Sequence, residues 1–306
     1  MKYTQSDKYR SELQDISNFL ELINFRPRTV DAYLQCIFEA CGWLEASFAV
    51  SLKDASVSQL RAFLLHLRRS RADGGMGYSP RSVNIYNCAI KKYFRYVMKR
   101  PLDSNELPLC RIDRSLPKVP AKPDVFKLIY GTENLKHRLI FAIAYGCALR
   151  ISEVAALRFG DIYFSENTVH IPADISKSRR EGKVELPDRL KRLLTEYAKQ
   201  CCPGAKKTDW LFPGQKTGTH LSRGTLARIF KNRIIQLGWE TRGYTFHSLR
   251  HAHALHYYQA GADLFQVMHR LRHNSIASTL IYVQLDATLK GREDVGQPLD
   301  DPAFAD

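Results

Sequence analysis

The sequence predicts a mainly α-helical protein with a small β-sheet, built as two domains joined by a basic linker. Three observations carry that reading. Apolar residues recur at helical spacing through the amino-terminal third of the chain. Pro101, Pro108, Pro117, Pro120 and Pro123 then crowd one segment, where the missing amide donors and fixed backbone angles disfavour a helix. Beyond them, the only strand-like alternation is short, Thr168 to Pro172, with a return segment from Gly182 to Pro187. The expected division is residues 1–104, a linker over 105–122, a second domain over 123–290 and a tail over 291–306.

The elements follow in order. Leu13, Ile16, Leu20 and Ile23 mark a first helix, and Val30, Tyr33, Leu34, Ile37, Phe38, Cys41 and Leu44 a second. Leu60, Phe63, Leu64 and Leu67 mark a third. Ser79 and Pro80 open a fourth, serine as cap and proline at the first helical position. Its packing side carries Val83, Tyr86, Ile90, Tyr93, Phe94 and Val97, and its polar side Arg81, Asn84, Lys91, Lys92, Arg95 and Lys99. The linker adds Arg111, Arg114, Lys118 and Lys122. Helices run from there to Leu149, a β-element lies between Asp161 and Leu186, and further helices follow Asp188. One of these, Ser222 to Leu237, opens on a serine cap and carries Arg223, Arg228, Lys231 and Arg233.

Composition narrows the partner. Among 306 residues, 46 Lys and Arg face 31 Asp and Glu, a net charge of +15, and the isoelectric point is near 9.5. Such an excess attracts polyanions from a distance. No apolar run approaches the roughly 20 residues that span a bilayer, and the polar start, Met1 to Arg10, has no signal-peptide pattern. Seven scattered cysteines form neither a disulfide framework nor a CxxC pair, which suits a reducing cytoplasm.

Five residues carry the chemistry. Arg150 ends the apolar run Leu139 to Leu149. His247 and Arg250 lie three residues apart in HSLRH and share a face of any helix there. His273 follows Arg250 by 23 residues, and Tyr282 follows His273 by nine. Two guanidiniums with forked donors suit the non-bridging oxygens of a phosphodiester, where charge grows in the transition state. A phenol attacks phosphorus once cations or a base favour its deprotonation, and the departing 5′ oxygen needs a general acid. Taken singly, Arg150 reads as an ion-pairing residue, His247 as a cap or core imidazole and Tyr282 as a packed ring. His247 and His251 have the spacing of a zinc pair, but no HExxH glutamate or cysteine pair accompanies them, so no metal or other cofactor is read. His251 and His253 are expected to pack or hydrogen-bond within their own helix.

With these residues in this order, the chain resembles the tyrosine recombinase (phage integrase) family: an arginine before a helix reading LRISEVAAL, then HxxR, then LxH, then tyrosine nine residues on. The departure is Arg272, where the family usually carries glycine before the histidine, a matter of local backbone geometry. The resemblance implies a helical (SAM-like) core-binding domain followed by a catalytic domain, and double-stranded DNA with inverted half-sites as partner. It further implies a dimer per site, a tetramer in synapse, and metal- and ATP-independent strand exchange through a covalent 3′-phosphotyrosine and a Holliday junction. The family's hairpin lysine corresponds to Lys177, with Lys183 as the alternative. Arg81, Asn84, Lys91 and Lys92 are the expected DNA contacts of the first domain, and Arg228 and Lys231 of the second. Pro298, Leu299 and Phe304 suggest a tail that docks on a neighbouring subunit. The expected setting is cytoplasmic and nucleoid-associated, serving integration, excision or resolution of a mobile element. A type IB topoisomerase-like enzyme and a non-catalytic DNA-binding regulator of the same fold are the alternatives.

Overall fold

The computed structural model describes residues 9–69, 77–113, 115–175 and 181–290. Lys177 and the tail residues Pro298, Leu299 and Phe304 therefore lie outside the described residues. The chain divides into two units, Met1–Arg114 and Ser115–Asp306.

In the first unit, α1 (Arg10–Leu22), α2 (Pro27–Phe48), α3 (Val57–Arg69) and α4 (Pro80–Lys92) turn their apolar stripes onto one core. Leu13, Ile16, Leu20, Leu34, Ile37, Leu44, Leu60, Phe63 and Ile90 are all buried there. Ile23 departs from the expected stripe because α1 stops at Leu22, leaving its side chain 40% exposed. The Ser79 hydroxyl accepts from the Ser82 amide at 3.1 Å, which satisfies one of the donors a helix start leaves open. After α4 the helix widens to a π turn over Tyr93–Val97, which lets the consecutive Tyr93 and Phe94 both turn inward.

Residues just beyond position 104, which the sequence assigns to a linker, pack onto this unit. Arg61 donates from Nε and Nη2 to the Glu106 and Asn105 carbonyls at 2.6 and 2.7 Å. Asn87 donates to the Pro108 carbonyl at 2.9 Å, and Leu107 is buried in the core. Asn84 clasps the Cys110 peptide from both ends, donating to its carbonyl at 2.9 Å and accepting from its amide at 2.8 Å.

The second unit opens with α5 (Lys122–Tyr130), α6 (Leu135–Gly146) and the short α7 (Ile151–Ala155). An antiparallel meander follows: β1 (Ile162–Tyr163), β2 (Thr168–Ile171) and β3 (Gly182–Glu185). Ile162 pairs with Val169 and Val169 with Val184, so one row of branched side chains meets the core. Strands β2 and β3 match the two alternating segments read from the sequence; β1, two residues long, is too short to show alternation. The unit continues with α8 (Asp188–Cys201), α9 (Arg223–Gln236), α10 (Phe246–Gln259), α11 (Leu264–Leu271) and α12 (Leu280–Lys290). Ser222 caps α9 by accepting from the Thr225 amide at 3.0 Å. A large core joins the sheet to α5, α6, α8 and α9. A smaller cluster of Ala148, Ala254, Leu255, Val267, Leu271, Tyr282 and Leu285 forms the floor on which the polar residues below are mounted.

Candidate active site

Three elements and two bends hold the site. After α6 the backbone reverses through Ala148, whose φ of 50° lies in the left-handed region. That bend delivers Arg150 to the start of α7. Glu153, fully buried one turn later, accepts from the Arg150 amide at 2.8 Å and from its guanidinium at 3.0 Å. A carboxylate in the first helical turn is favoured there by the unpaired amides and the dipole.

Helix α10 presents His247, Arg250 and His251. It starts where the Thr245 amide donates to the Ser248 hydroxyl at 3.1 Å. Arg250 is 1% exposed and donates to the carbonyls of Ala148 and Leu271, so both flanking bends are fixed to one guanidinium. Burial and the neighbouring charge of Arg150 push its pKa down to about 9, which still leaves it cationic at neutral pH.

Helix α11 opens on a reciprocal cap: the Gln266 amide donates to Asp263 at 2.8 Å and the Asp263 amide donates to Gln266 at 2.9 Å. It closes on Arg272 at φ 53°, ψ 46°, the conformation a glycine would adopt without strain. Arg272 thus takes this left-handed bend without being a glycine. Arg272 instead sends its side chain inward, where it donates to Glu153 at 2.6 Å. Glu153 therefore bridges Arg150 and Arg272. Beside it Gly182 leaves the necessary room, since a Cβ there would lie 2.4 Å from Arg272 Cδ.

His273 follows and is oriented by Thr279, its Nδ1 lying 3.0 Å from the buried Oγ1. Tyr282, on the first turn of α12, is 2% exposed. Its hydroxyl lies 3.0 Å from Nδ1 of His251, so that imidazole looks across to α12 and not only along its own helix. The His251 ring centroid is 4.6 Å from that of His247. His253 and His256 do take packing roles, His253 accepting from Arg270 at 3.4 Å and His256 lying 3.0 Å from the Tyr145 hydroxyl.

Electrostatically the pocket is two cations among neutral rings. Burial, helped by the positive groups around it, pushes His247 down to about 3, and burial with Arg250 and Arg150 pushes His273 down to about 4. Burial pushes the Tyr282 phenol up to about 12, opposed by Arg250 and Arg150. The phenol is accordingly protonated in the free protein. The structure thus brings Arg150, His247, Arg250, His273 and Tyr282 together. Lys183 turns to Glu166, at 3.2 Å. Among the described residues, no group of three or more His, Cys, Asp or Glu is placed to hold a metal ion, and no helix is long and apolar enough to cross a membrane.

Sequence reading did not assign Glu153, Thr279 or His251 to the site. Glu153 sits three residues after Arg150 and His251 four after His247, spacings that mark shared helix faces. Of the expected DNA contacts, Arg81, Arg228 and Lys231 are exposed and Lys91 partly so. Lys92 lies over the rings of Phe25 and Tyr96 at 4.9 and 5.7 Å. Asn84 has both ends of its amide committed to Cys110, which counts against its reaching a base or phosphate.

Comparison with known proteins places the chain among relatives of one family. Tyrosine recombinase XerA of Pyrococcus horikoshii is 27% identical over 277 residues, covering 89% of this chain and 88% of its own. Tyrosine recombinase XerD of Rhizobium meliloti is 26% identical, covering 88% of this chain and 90% of its own. Among solved structures, XerH site-specific recombinase bound to palindromic difH substrate has a TM-score of 0.69 at 22% identity, over 96% of this chain and 90% of that one. The Tn1549 transposon integrase in complex with transposon right end DNA has a TM-score of 0.67 at 17% identity, over 91% and 98%. Both share the fold. The profile of the phage integrase family matches residues 123–288, more than half of the chain and the whole stretch that builds the pocket, and the protein belongs to that family, the tyrosine recombinases.

Proposed function

We propose that the protein is a site-specific DNA recombinase that cuts and rejoins strands through a covalent 3′-phosphotyrosine on Tyr282. One observation carries this: the two buried or half-buried guanidiniums, Arg150 and Arg250, act on a single phenol, Tyr282, and on the neutral imidazoles of His247 and His273 in the same pocket. In this reading the guanidiniums bind the non-bridging oxygens and stabilise the charge gained in the pentacoordinate transition state. His247 and His273, neutral at working pH, hydrogen-bond the same oxygens or the leaving group. Lys177 protonates the departing 5′ oxygen. The phosphotyrosine keeps the energy of the original ester, so a second 5′ hydroxyl reverses the step without ATP or metal.

Residues 1–104 act in this scheme as a helical DNA-binding domain and residues 123–290 as the catalytic domain. Inverted half-sites bind a dimer, and two such duplexes form a tetramer that exchanges strands through a Holliday junction. The XerH structure, bound to difH substrate, and the Tn1549 integrase structure, in complex with transposon right end DNA, support DNA as substrate. Integration, excision or resolution of a mobile element in the cytoplasm is the role we assign.

The test is covalent trapping. The DNA sequence that the protein itself selects from a random pool is made as a duplex nicked beside the scissile phosphate, so that the released fragment diffuses away. The wild type should accumulate a protein–DNA adduct stable to denaturant, and Tyr282→Phe should bind the same duplex with no adduct. An adduct that persists in Tyr282→Phe would move the nucleophile elsewhere.

A further inference from the structure

We infer that His251 is a catalytic residue, the base that takes the phenolic proton of Tyr282 during cleavage and returns it during rejoining. The inference rests on the phosphotyrosine reading above. It starts from a hydrogen bond: His251 Nδ1 lies 3.0 Å from the Tyr282 hydroxyl, across from α10 to α12, with ring centroids 5.8 Å apart. That is the reach a general base needs. His247, the imidazole of the HxxR pair, stands one helical turn away and stacks edge-on against His251.

The surroundings fix the protonation state in the required direction. His251 faces Arg250 and His247 on its own helix, Tyr282 on α12 and His273 in the bend before it. Burial first, and the Arg250 charge second, push its pKa down to about 4, so at neutral pH it is an uncharged ring. With its proton on Nε2, Nδ1 offers a lone pair to the phenol. Burial holds that phenol near 12, too high for free phenolate to supply the nucleophile at neutral pH.

The step balances as follows. As the Tyr282 oxygen bonds to phosphorus, its proton passes to His251 Nδ1, giving an imidazolium. The bond from phosphorus to the 5′ oxygen breaks, and that oxygen takes a proton from the general acid. In rejoining, the 5′ hydroxyl attacks and gives its proton back to the conjugate base of the general acid, the phosphotyrosine bond breaks, and the imidazolium returns its proton to the phenolic oxygen. His251 thus works on the tyrosine side of the phosphorus, leaving His247, His273 and Lys177 for the non-bridging and leaving oxygens.

The experiment is single-turnover cleavage by the full chain on the nicked duplex selected above, with His251→Ala, His251→Gln and Tyr282→Phe compared with wild type. At neutral pH, loss of the base should slow cleavage by about 10²–10⁴-fold with DNA affinity unchanged. The deficit should shrink as pH rises and hydroxide takes over the deprotonation, and added imidazole should restore part of the rate to His251→Ala. A second duplex with sulfur at the leaving 5′ position needs no general acid, and both His251 variants should remain slow on it. Wild-type rates in either His251 variant would overturn the inference. So would a deficit constant across pH and unmoved by imidazole, or one abolished by the sulfur leaving group. Adduct formation by Tyr282→Phe would instead sink the nucleophile assignment beneath it.

Discussion

Arg272 shows how a single residue can satisfy a backbone requirement and an electrostatic one at once. The bend before His273 needs a left-handed residue, and a non-glycine side chain there costs about 1–2 kcal/mol. Arg272 offsets that cost by donating to Glu153 inside the protein, where Glu153 also holds Arg150. Two of its guanidinium nitrogens, Nε and Nη1, are buried without a hydrogen-bond partner among the described residues, so the fit is made by shape as well as charge. Gly182 supplies the shape. Arg272→Gly should therefore lose the ion pair yet relieve the backbone, whereas Arg272→Ala loses the ion pair and keeps the strain. The alanine variant is expected to be less stable than the glycine variant by about 1 kcal/mol in denaturant unfolding. Gly182→Ala, which drives a methyl into Arg272 Cδ, should cost about 1–3 kcal/mol in the wild type and much less in the Arg272→Gly background. Equal costs in the two backgrounds would mean that the contact carries no coupling.

At the scale of elements, α10 concentrates the chemistry and also a liability. Four histidines on this one helix, His247, His251, His253 and His256, have pKa values pushed down by burial to about 3 or 4, against 6.5 when solvated. The unfolded chain therefore binds more protons than the folded one between those values. Stability is complete above about pH 6.5 and is lost as pH falls toward about 4, with each histidine contributing up to about 1.4 kcal/mol per pH unit. Unfolding of the full chain followed between about pH 7 and pH 4 should show this slope, and His253→Gln should lower it by close to one proton. A flat profile, or a slope unchanged in that variant, would show that the imidazoles are charged when folded. The helices themselves were legible in sequence because their apolar stripes and serine caps are local. So were β2 and β3, and so was the set gathered with Tyr282, through the family resemblance that HxxR, LxH and the tyrosine carry in that order. The Asn84 clasp on Cys110, the π turn after Lys92 and the Glu153 bridge were not legible. Each depends on a partner far along the chain, or on one extra backbone residue per turn, and neither leaves a periodic trace.

For the whole molecule, the excess of positive charge is a statement about partners and not about fold. Where it matters depends on which cations are available to phosphates. Arg272 is committed to Glu153 and Lys183 to Glu166, whereas Arg150 shares Glu153 through Nη1 alone. Arg228 and Lys231, one turn apart on α9, are exposed and stand on the same side of that helix. If both meet DNA phosphates, each releases condensed counterions on binding and adds about 0.9 to the slope of log affinity against log salt. Arg228→Gln with Lys231→Gln should then flatten that slope by about 1.8 and weaken binding to all sequences alike, with no change in unfolding midpoint. Asn84→Ala should do the reverse, lowering the stability of the first unit by freeing the Cys110 peptide while leaving the salt slope untouched, because it removes no charge. Titrations of one duplex at several salt concentrations, with wild type and both variants, separate the two effects. A double variant with the wild-type slope would take α9 out of the DNA interface and leave its cations to solvent.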